Sequence, residues 1–217
     1  MTATRYVFLG CEAHLSRAVF NALSPWWAPA AVVLGGALAP ERPEIALPVD
    51  APMGFVGTVR KHGLPILSIR DDAANAYRLV HGLRPDVLVM ACFPHILNAS
   101  WLALPRLGVL NVHPSLLPRY RGPAPLYWQR QHGALCTGAT VHWASAKPDA
   151  GPIVAQASYP ADWSCTDEAL TEQHGAVAGS LLRAILAPLR VGRGTVASGR
   201  GQPTYGVSTL GWPPGMV

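Results

Sequence analysis

Charged side chains are scarce in this 217-residue chain, at 13% against 50% hydrophobic. That balance excludes a disordered polypeptide and implies an apolar interior with modest solvating charge. Acidic groups are the scarcer kind, 12 against 17 Lys and Arg, so the formal charge is +5 and the pI is near 9.3. A basic balance raises the question of phosphate binding. Arg119 and Arg121 stand close together in one motif, but no aromatic-interleaved basic stripe accompanies them. No nucleic-acid partner is expected, and anionic small molecules or acidic partners are the most the charge supports. No apolar run is long enough to span a bilayer, and Met1-Thr2-Ala3-Thr4-Arg5 leads straight into a short strand-like run without a secretory leader's apolar region. The expectation is a cytoplasmic protein with no membrane partner. The four cysteines, Cys11, Cys92, Cys136 and Cys165, lack metal-type spacing, and the eight histidines form no His-x-x-x-His pair. No metal is expected, and the thiols read as reduced, buried and structural. There is no internal repeat.

What is present alternates. Residues 5–10 read as a short buried strand, after which Leu15, Ala18, Val19, Ala22 and Leu23 recur at helical spacing until Pro25. Further apolar runs at 30–34, 65–69 and 86–91 are separated by helical stretches at 55–62 and 72–83. A Pro-rich loop covers 40–52. A run apolar at every position, as at 86–91, suits a strand buried on both faces, and strand–helix alternation implies a parallel sheet. Residues 108–111 add a short strand and 124–133 a helix behind it. The pattern then changes: 138–143 and 152–159 are strand-like segments around a polar loop, which makes this half mixed or antiparallel. A helix follows over 166–189 with Thr166 as N-cap. The expected architecture is α/β and Rossmann-like, with a mostly parallel central sheet, flanking helices and a mixed C-terminal portion. Length favours one domain, 1–190, with 191–217 a tail packed on it or extended.

The most informative segment is Asn111-Val112-His113-Pro114-Ser115-Leu116-Leu117-Pro118-Arg119-Tyr120-Arg121-Gly122, followed by Pro123-Ala124-Pro125. Downstream stand Thr137-Gly138-Ala139-Thr140-Val141-His142-Trp143 and Pro148-Asp149-Ala150-Gly151-Pro152. An isolated Asn-x-His would be a turn residue beside a satisfied histidine, and Pro-Asp-Ala-Gly alone an ordinary turn. Together and in this order they resemble the folate-dependent formyltransferase superfamily, which includes glycinamide ribonucleotide, methionyl-tRNA and sugar N-formyltransferases and formyltetrahydrofolate hydrolases.

The resemblance implies catalytic roles for Asn111, His113 and Asp149. Amine attack on a formyl carbon develops a tetrahedral oxyanion, which an Asn amide and an imidazolium could stabilise. A carboxylate beside His113 would favour its charged form and help move the amine proton. Two residues apart on an extended segment, Asn111 and His113 point to one side, at a strand's C-terminal end where open α/β sheets place their crevice. The implied donor is N10-formyltetrahydrofolate. Its pterin slot is expected along 92–97, with Phe93, His95, Ile96 and Leu97 as wall, and along the loop Ala146, Lys147 and Pro148, with His142 beside it. Plain core packing is the competing reading for Phe93, Ile96 and Leu97. Ser115 joins this set as a brace of the loop, having no base paired with it.

The acceptor is less specified. Where the ribonucleotide branch has a Gly-, Ser- and Asn-rich phosphate loop, this chain reads Gly10-Cys11-Glu12-Ala13-His14, and Glu12 would repel a phosphate. The tRNA branch's C-terminal β-barrel has no counterpart before Val217. A sugar-amine or other small biosynthetic amine is therefore the expected acceptor. Hydrolysis of the donor and a non-catalytic folate-binding module are the alternatives. Acceptor contacts are expected from loop 36–53 and the tail. Trp26, Trp27 and Trp212 leave a homodimer possible.

Overall fold

The computed structural model describes residues 4–36, 54–70 and 72–190, so the Pro-rich loop, most of the 36–53 acceptor loop, Trp212 and the expected tail lie outside the described residues. Seven strands form one sheet in the order β3-β2-β1-β4-β5-β6-β7. They are β1 (Tyr6–Gly10), β2 (Val32–Leu34), β3 (Ile66–Ser68), β4 (Val87–Ala91), β5 (Gly108–His113), β6 (Cys136–Trp143) and β7 (Ile153–Pro160). The helices are α1 (His14–Leu23), α2 (Phe55–Lys61), α3 (Ala73–Leu83), α4 (Ala99–Ala103), α5 (Pro125–Gln131) and α6 (Asp167–Arg190). Strands β1 to β5 pair in parallel, whereas β5–β6 and β6–β7 are antiparallel. This is the expected mostly parallel sheet with a mixed end.

Helices on both faces bury the sheet. On one face Phe8, Phe20 and Phe55 meet with ring centroids 5.6–5.7 Å apart. There α6 crosses α1 closely, because a Cβ at Gly175 or Gly179 would run into Ala18 or Ala22. On the other face Val7, Leu9, Val33, Leu88 and Val109 pack with Trp101. Asp72 caps α3 by accepting from the Asn75 N–H at 2.8 Å, and Thr166 caps α6 by accepting from the Ala169 N–H at 3.2 Å.

Two elements differ from expectation. Strand β5 runs to His113 because antiparallel β6 continues the ladder, pairing His113 with Thr140. Helix α4, absent from the sequence reading, is a single short helix capped by Asn98, which accepts from the Trp101 N–H at 3.1 Å. The cysteines are also not the buried set expected: Cys92 and Cys136 are exposed, and Cys11 and Cys165 half-buried. Apolar sequence neighbours do not bury a residue that stands at a strand's end. Among the described residues no helix is long and apolar enough to cross a membrane.

Candidate active site

Strand β5 presents Asn111 and His113 on one side of the sheet, both buried. Its antiparallel partner β6 sets His142 directly opposite Asn111, and facing residues of such a pair share a face. The Asn111 amide Nδ2 is accordingly 3.0 Å from His142 Nε2. Asp149 enters from the loop between β6 and β7 with φ +50°. That loop turns back tightly against β6: a Cβ at Gly151 would fall on the Trp143 carbonyl oxygen.

The three expected residues converge. Asn111 Nδ2 donates to Asp149 Oδ1 at 3.3 Å, and His113 Nδ1 lies 3.6 Å from Asp149 Oδ2. His142 Nε2, 3.5 Å from Asp149 Oδ1, makes the group a quartet. With His142 Nδ1 2.9 Å from the Trp143 carbonyl, which requires a proton there, neutral His142 presents a lone pair to the Asn111 amide. A protonated one would donate to Asp149 instead. The far side of His113 is fixed by its Nε2–H, which donates to the Tyr120 carbonyl at 2.7 Å. Asp149 Oδ2 also accepts from the Gly122 N–H at 2.9 Å. The loop from Pro114 to Gly122 therefore supplies backbone partners to both residues. No feature of the sequence singled out Tyr120 or Gly122, since their contributions are main-chain atoms.

Burial pushes the His113 imidazole below its ordinary value. The Tyr120 carbonyl and the Asp149 charge pull it upward without overcoming burial, and His142 adds to the depression. Asp149 acts in the anticipated direction, favouring the charged form, but desolvation is the larger influence. Burial would raise Asp149, yet a hydrogen bond from His142 in its protonated form, the Gly122 N–H bond and the charge of a protonated His113 hold it below the usual carboxylate range. The resting site is thus an ionised carboxylate beside a neutral imidazole whose Nδ1 can take a proton and become its partner.

These groups open onto a cleft of about 510 Å³ at the C-terminal ends of β1, β4 and β5. Of the expected wall, Phe93, His95, Ile96, Leu97, His142 and Pro148 line it. Leu97 is buried while Ile96 is 73% exposed, so core packing does not account for Ile96. His95 Nε2 donates to the Gly35 carbonyl at 2.6 Å, which anchors the wall. Three expected residues do not line the cleft. Ala146 and Lys147 are exposed on the outer turn. Ser115 is fully buried behind it, donating to the Arg119 carbonyl at 2.9 Å, a brace only. The sequence reading did not pick out Cys11, Leu15, Met90 or Leu102 as lining, because they come from other strand ends and helices, nor Ser145, one residue before the loop it did name.

The sequence pattern described as formyl transferase matches residues 66–186. Methionyl-tRNA formyltransferase of Roseiflexus castenholzii is 39% identical over 155 residues, covering 69% of this chain and 48% of that protein. The enzyme of that name from Thermotoga maritima is 34% identical, covering 60% and 42%. The chain spans about half the length of the curated relatives it matches. Among solved structures, glycinamide ribonucleotide transformylase 1 from Symbiobacterium toebii superposes with a TM-score of 0.66 at 23% identity, over 88% of this chain and 89% of that one. A formyltetrahydrofolate deformylase from Pseudomonas syringae pv. tomato gives 0.64 at 22%, over 86% and 62%. The structural likenesses speak to the fold. The match over residues 66–186, which takes in Asn111, His113, His142 and Asp149, carries the assignment: this chain belongs to the formyl transferase family.

Proposed function

We propose that the chain carries a formyl group from N10-formyltetrahydrofolate to the primary amine of a small biosynthetic molecule, a sugar-amine being the preferred class. The domain ending at Arg190 performs the chemistry. The observation that supports this most is the convergence of Asn111, His113 and Asp149 within 3.3–3.6 Å at the floor of one cleft. A cleft near 510 Å³, mostly apolar with a few convergent polar groups, suits a ligand of folate size. A module that only bound folate would have no use for that convergence.

In this reading Asn111 turns an amide N–H toward the formyl oxygen as negative charge gathers there, giving up its longer contact to Asp149. Neutral His113 accepts the amine proton on Nδ1, and Asp149 stabilises the imidazolium that results. As the tetrahedral adduct collapses with cleavage of the formyl carbon–N10 bond, the imidazolium gives that proton to the departing N10 of tetrahydrofolate. Tyr120 and Gly122 hold the two from behind, so little reorganisation is needed at the moment of reaction.

Glu12 bears on the acceptor. Its carboxylate accepts from the Phe55 and Val56 N–H groups at 2.6 and 2.8 Å, filling the N-terminus of α2 with resident negative charge. An acceptor phosphate aimed at that place would meet a carboxylate, which supports an acceptor without one there. The same neutral His113 would serve water equally well, so donor hydrolysis is the second reading. Because the curated relatives named above are methionyl-tRNA formyltransferases, an aminoacyl ester is the acceptor to test against it.

The test is absorbance-monitored conversion of N10-formyltetrahydrofolate to tetrahydrofolate, with a panel of sugar amines, small amines and methionyl-tRNA, beside His113→Ala. The expected result is acceleration by an amine of the panel and loss of turnover in the variant. Turnover indifferent to amine makes the protein a hydrolase. Acceleration by methionyl-tRNA alone overturns the small-amine acceptor, and turnover retained in His113→Ala overturns the site.

A further inference from the structure

We propose that His174, on the far side of the sheet's antiparallel end, is a positioning residue for the site: protonated on Nε2, it stands in a one-way chain of hydrogen bonds that ends on the Pro114 carbonyl. The proposal's kinetic consequence rests on the reading of Asn111, His113 and Asp149 as the reacting set. The chain itself does not.

Its direction comes from counting hydrogens. Both hydrogens of Gln129 Nε2 are committed, to the Pro114 carbonyl at 2.9 Å and the Pro125 carbonyl at 3.1 Å. Gln129 Oε1 can then only accept, and the Thr137 hydroxyl donates to it at 2.8 Å. A hydroxyl has one hydrogen. With that spent, Thr137 Oγ1 must accept from His174 Nε2, 3.1 Å away. Nδ1 is left as a lone pair to receive the Tyr159 hydroxyl at 2.8 Å. Tyr159, His174, Thr137 and Gln129 thus donate in sequence from β7 through α6 and β6 to α5.

No water is available to correct a mistake in this chain, because Gln129, Thr137 and His174 are at most 1% exposed. Each buried polar group left without a partner costs about 1–3 kcal/mol. The Leu170 carbonyl, also 2.8 Å from Nδ1, offers the competing place for a proton. Moving the proton there would strand Gln129 Oε1 and the Tyr159 hydrogen. A proton on both nitrogens would place a charge where burial pushes the imidazole below its ordinary value.

The chain acts on the site because of where it ends. Pro114 follows His113 and opens the loop whose Tyr120 carbonyl holds His113 and whose Gly122 N–H holds Asp149. The rest of that loop has its own braces: Thr140 donates to the Ser115 carbonyl at 2.6 Å, and Gln156 to the Leu117 carbonyl at 2.8 Å. Gln129 is the side chain that fixes the loop's first residue, and His174 sets which way Gln129 faces.

Long-range ¹H–¹⁵N NMR of imidazole-labelled full-length protein reads the chain directly. His174 is expected to be protonated on Nε2 and not on Nδ1. Tyr159→Phe, which keeps the ring and removes the first donor, is expected to move the proton to Nδ1. A proton on Nδ1 or on both nitrogens in the wild type overturns the proposal. Thr137→Val breaks the chain with little change of shape, and is expected to shift the His113 imidazole resonances and to lower kcat about tenfold, with donor KM within about twofold. Thr137→Ser restores both. Should Thr137→Val not fold, Tyr159→Phe carries the same readouts. A variant that loses thermal stability while kcat and the His113 resonances stay put makes the chain merely structural. Because the resonances are read without substrate, a protein with no formyl transfer at all would still support or sink the positioning role.

Discussion

The two ends of the sheet are built on different principles. From β3 to β4 the strands are parallel and flanked by helices, and their interior is Val, Leu, Phe and Ala. Of the ten buried polar residues among those described, only Ser16 and Ser24 lie before β5. Asn111, His113, Ser115, Gln129, Thr137, Thr140, His142 and His174 all belong to β5 or to elements C-terminal to it. The parallel end is held by non-directional burial, which fixes how much is packed better than which atom faces which. The antiparallel end adds to its apolar packing a set of buried side-chain hydrogen bonds whose donors and acceptors must match. Asn111 and His113, two of the groups proposed to react, stand on β5, where the two ends meet. One end shapes the cleft and the other aims the chemistry.

That contrast predicts opposite signatures for the two kinds of change. Asn111→Ala should lower kcat by about 10²- to 10³-fold, the usual effect of losing one donor to a developing oxyanion, and cost about 1–3 kcal/mol of stability for the partner it leaves unpaired at His142. Leu88→Ala, fully buried in the middle of β4 and not itself lining the cleft, should cost about 2–5 kcal/mol of stability while the folded protein keeps its kcat within about twofold. Denaturant melts beside steady-state kinetics on both variants check this. If Leu88→Ala lowered kcat as Asn111→Ala does, the division between the ends would fail.

Asp149→Asn sharpens the electrostatic side of the argument. A neutral His113 acting as base makes the rate rise with pH through a value below the ordinary imidazole range, since burial depresses it. The Asp149 charge works against that depression, so removing it moves the acidic limb of the kcat/KM profile to still lower pH. The plateau should fall about 10²-fold, within the range of a lost acid–base partner. A limb that moved upward would mean that Asp149 does not face His113 as a charge.

Gly151→Ala tests whether the aim depends on backbone as well. The added Cβ would fall on the Trp143 carbonyl oxygen, so the loop must shift and carry Asp149 with it. A loss of about tenfold in kcat is expected, together with about 1–3 kcal/mol of stability. An unchanged pH profile in this variant would show that the loop moves without carrying Asp149.

How much of this was readable obeys the same division. The apolar runs of β1, β2 and β4 and the cap of α6 are local patterns, and they stand where residues 5–10, 30–34, 86–91 and Thr166 put them. Asn111 and His113 lie two apart on one strand, so a contiguous motif was enough. His142 was legible only as a neighbour of the folate loop, because its place in the cluster depends on the β5–β6 register that sets it against Asn111. Tyr120 and Gly122 act through main-chain atoms, which no side-chain pattern reveals. Glu12 read as a repellent of phosphate. That it caps α2, through contacts 43 and 44 residues distant in sequence, needed the fold.

Cys11 and Cys92 are the place where the parallel end departs from inert packing, and they give the smallest effect. They follow Gly10 and Ala91 at the ends of neighbouring parallel strands, and the Cys11 thiol donates to the Cys92 carbonyl at 2.8 Å. The Cys92 thiol beside it lowers Cys11 to about 7, with burial opposing and Ser16 assisting, while Cys92 itself is raised. Because the thiolate is the nucleophile, half-buried Cys11 should be alkylated by iodoacetamide several-fold faster at pH 7 than exposed Cys136, with a rate midpoint near pH 7. Cys92→Ala removes the larger lowering influence, so the midpoint should rise. Mass spectrometry of the labelled peptides over a pH series reads both. Faster labelling of Cys136 would mean that exposure alone governs these thiols, and that even at the cleft the parallel end contributes shape and no chemistry.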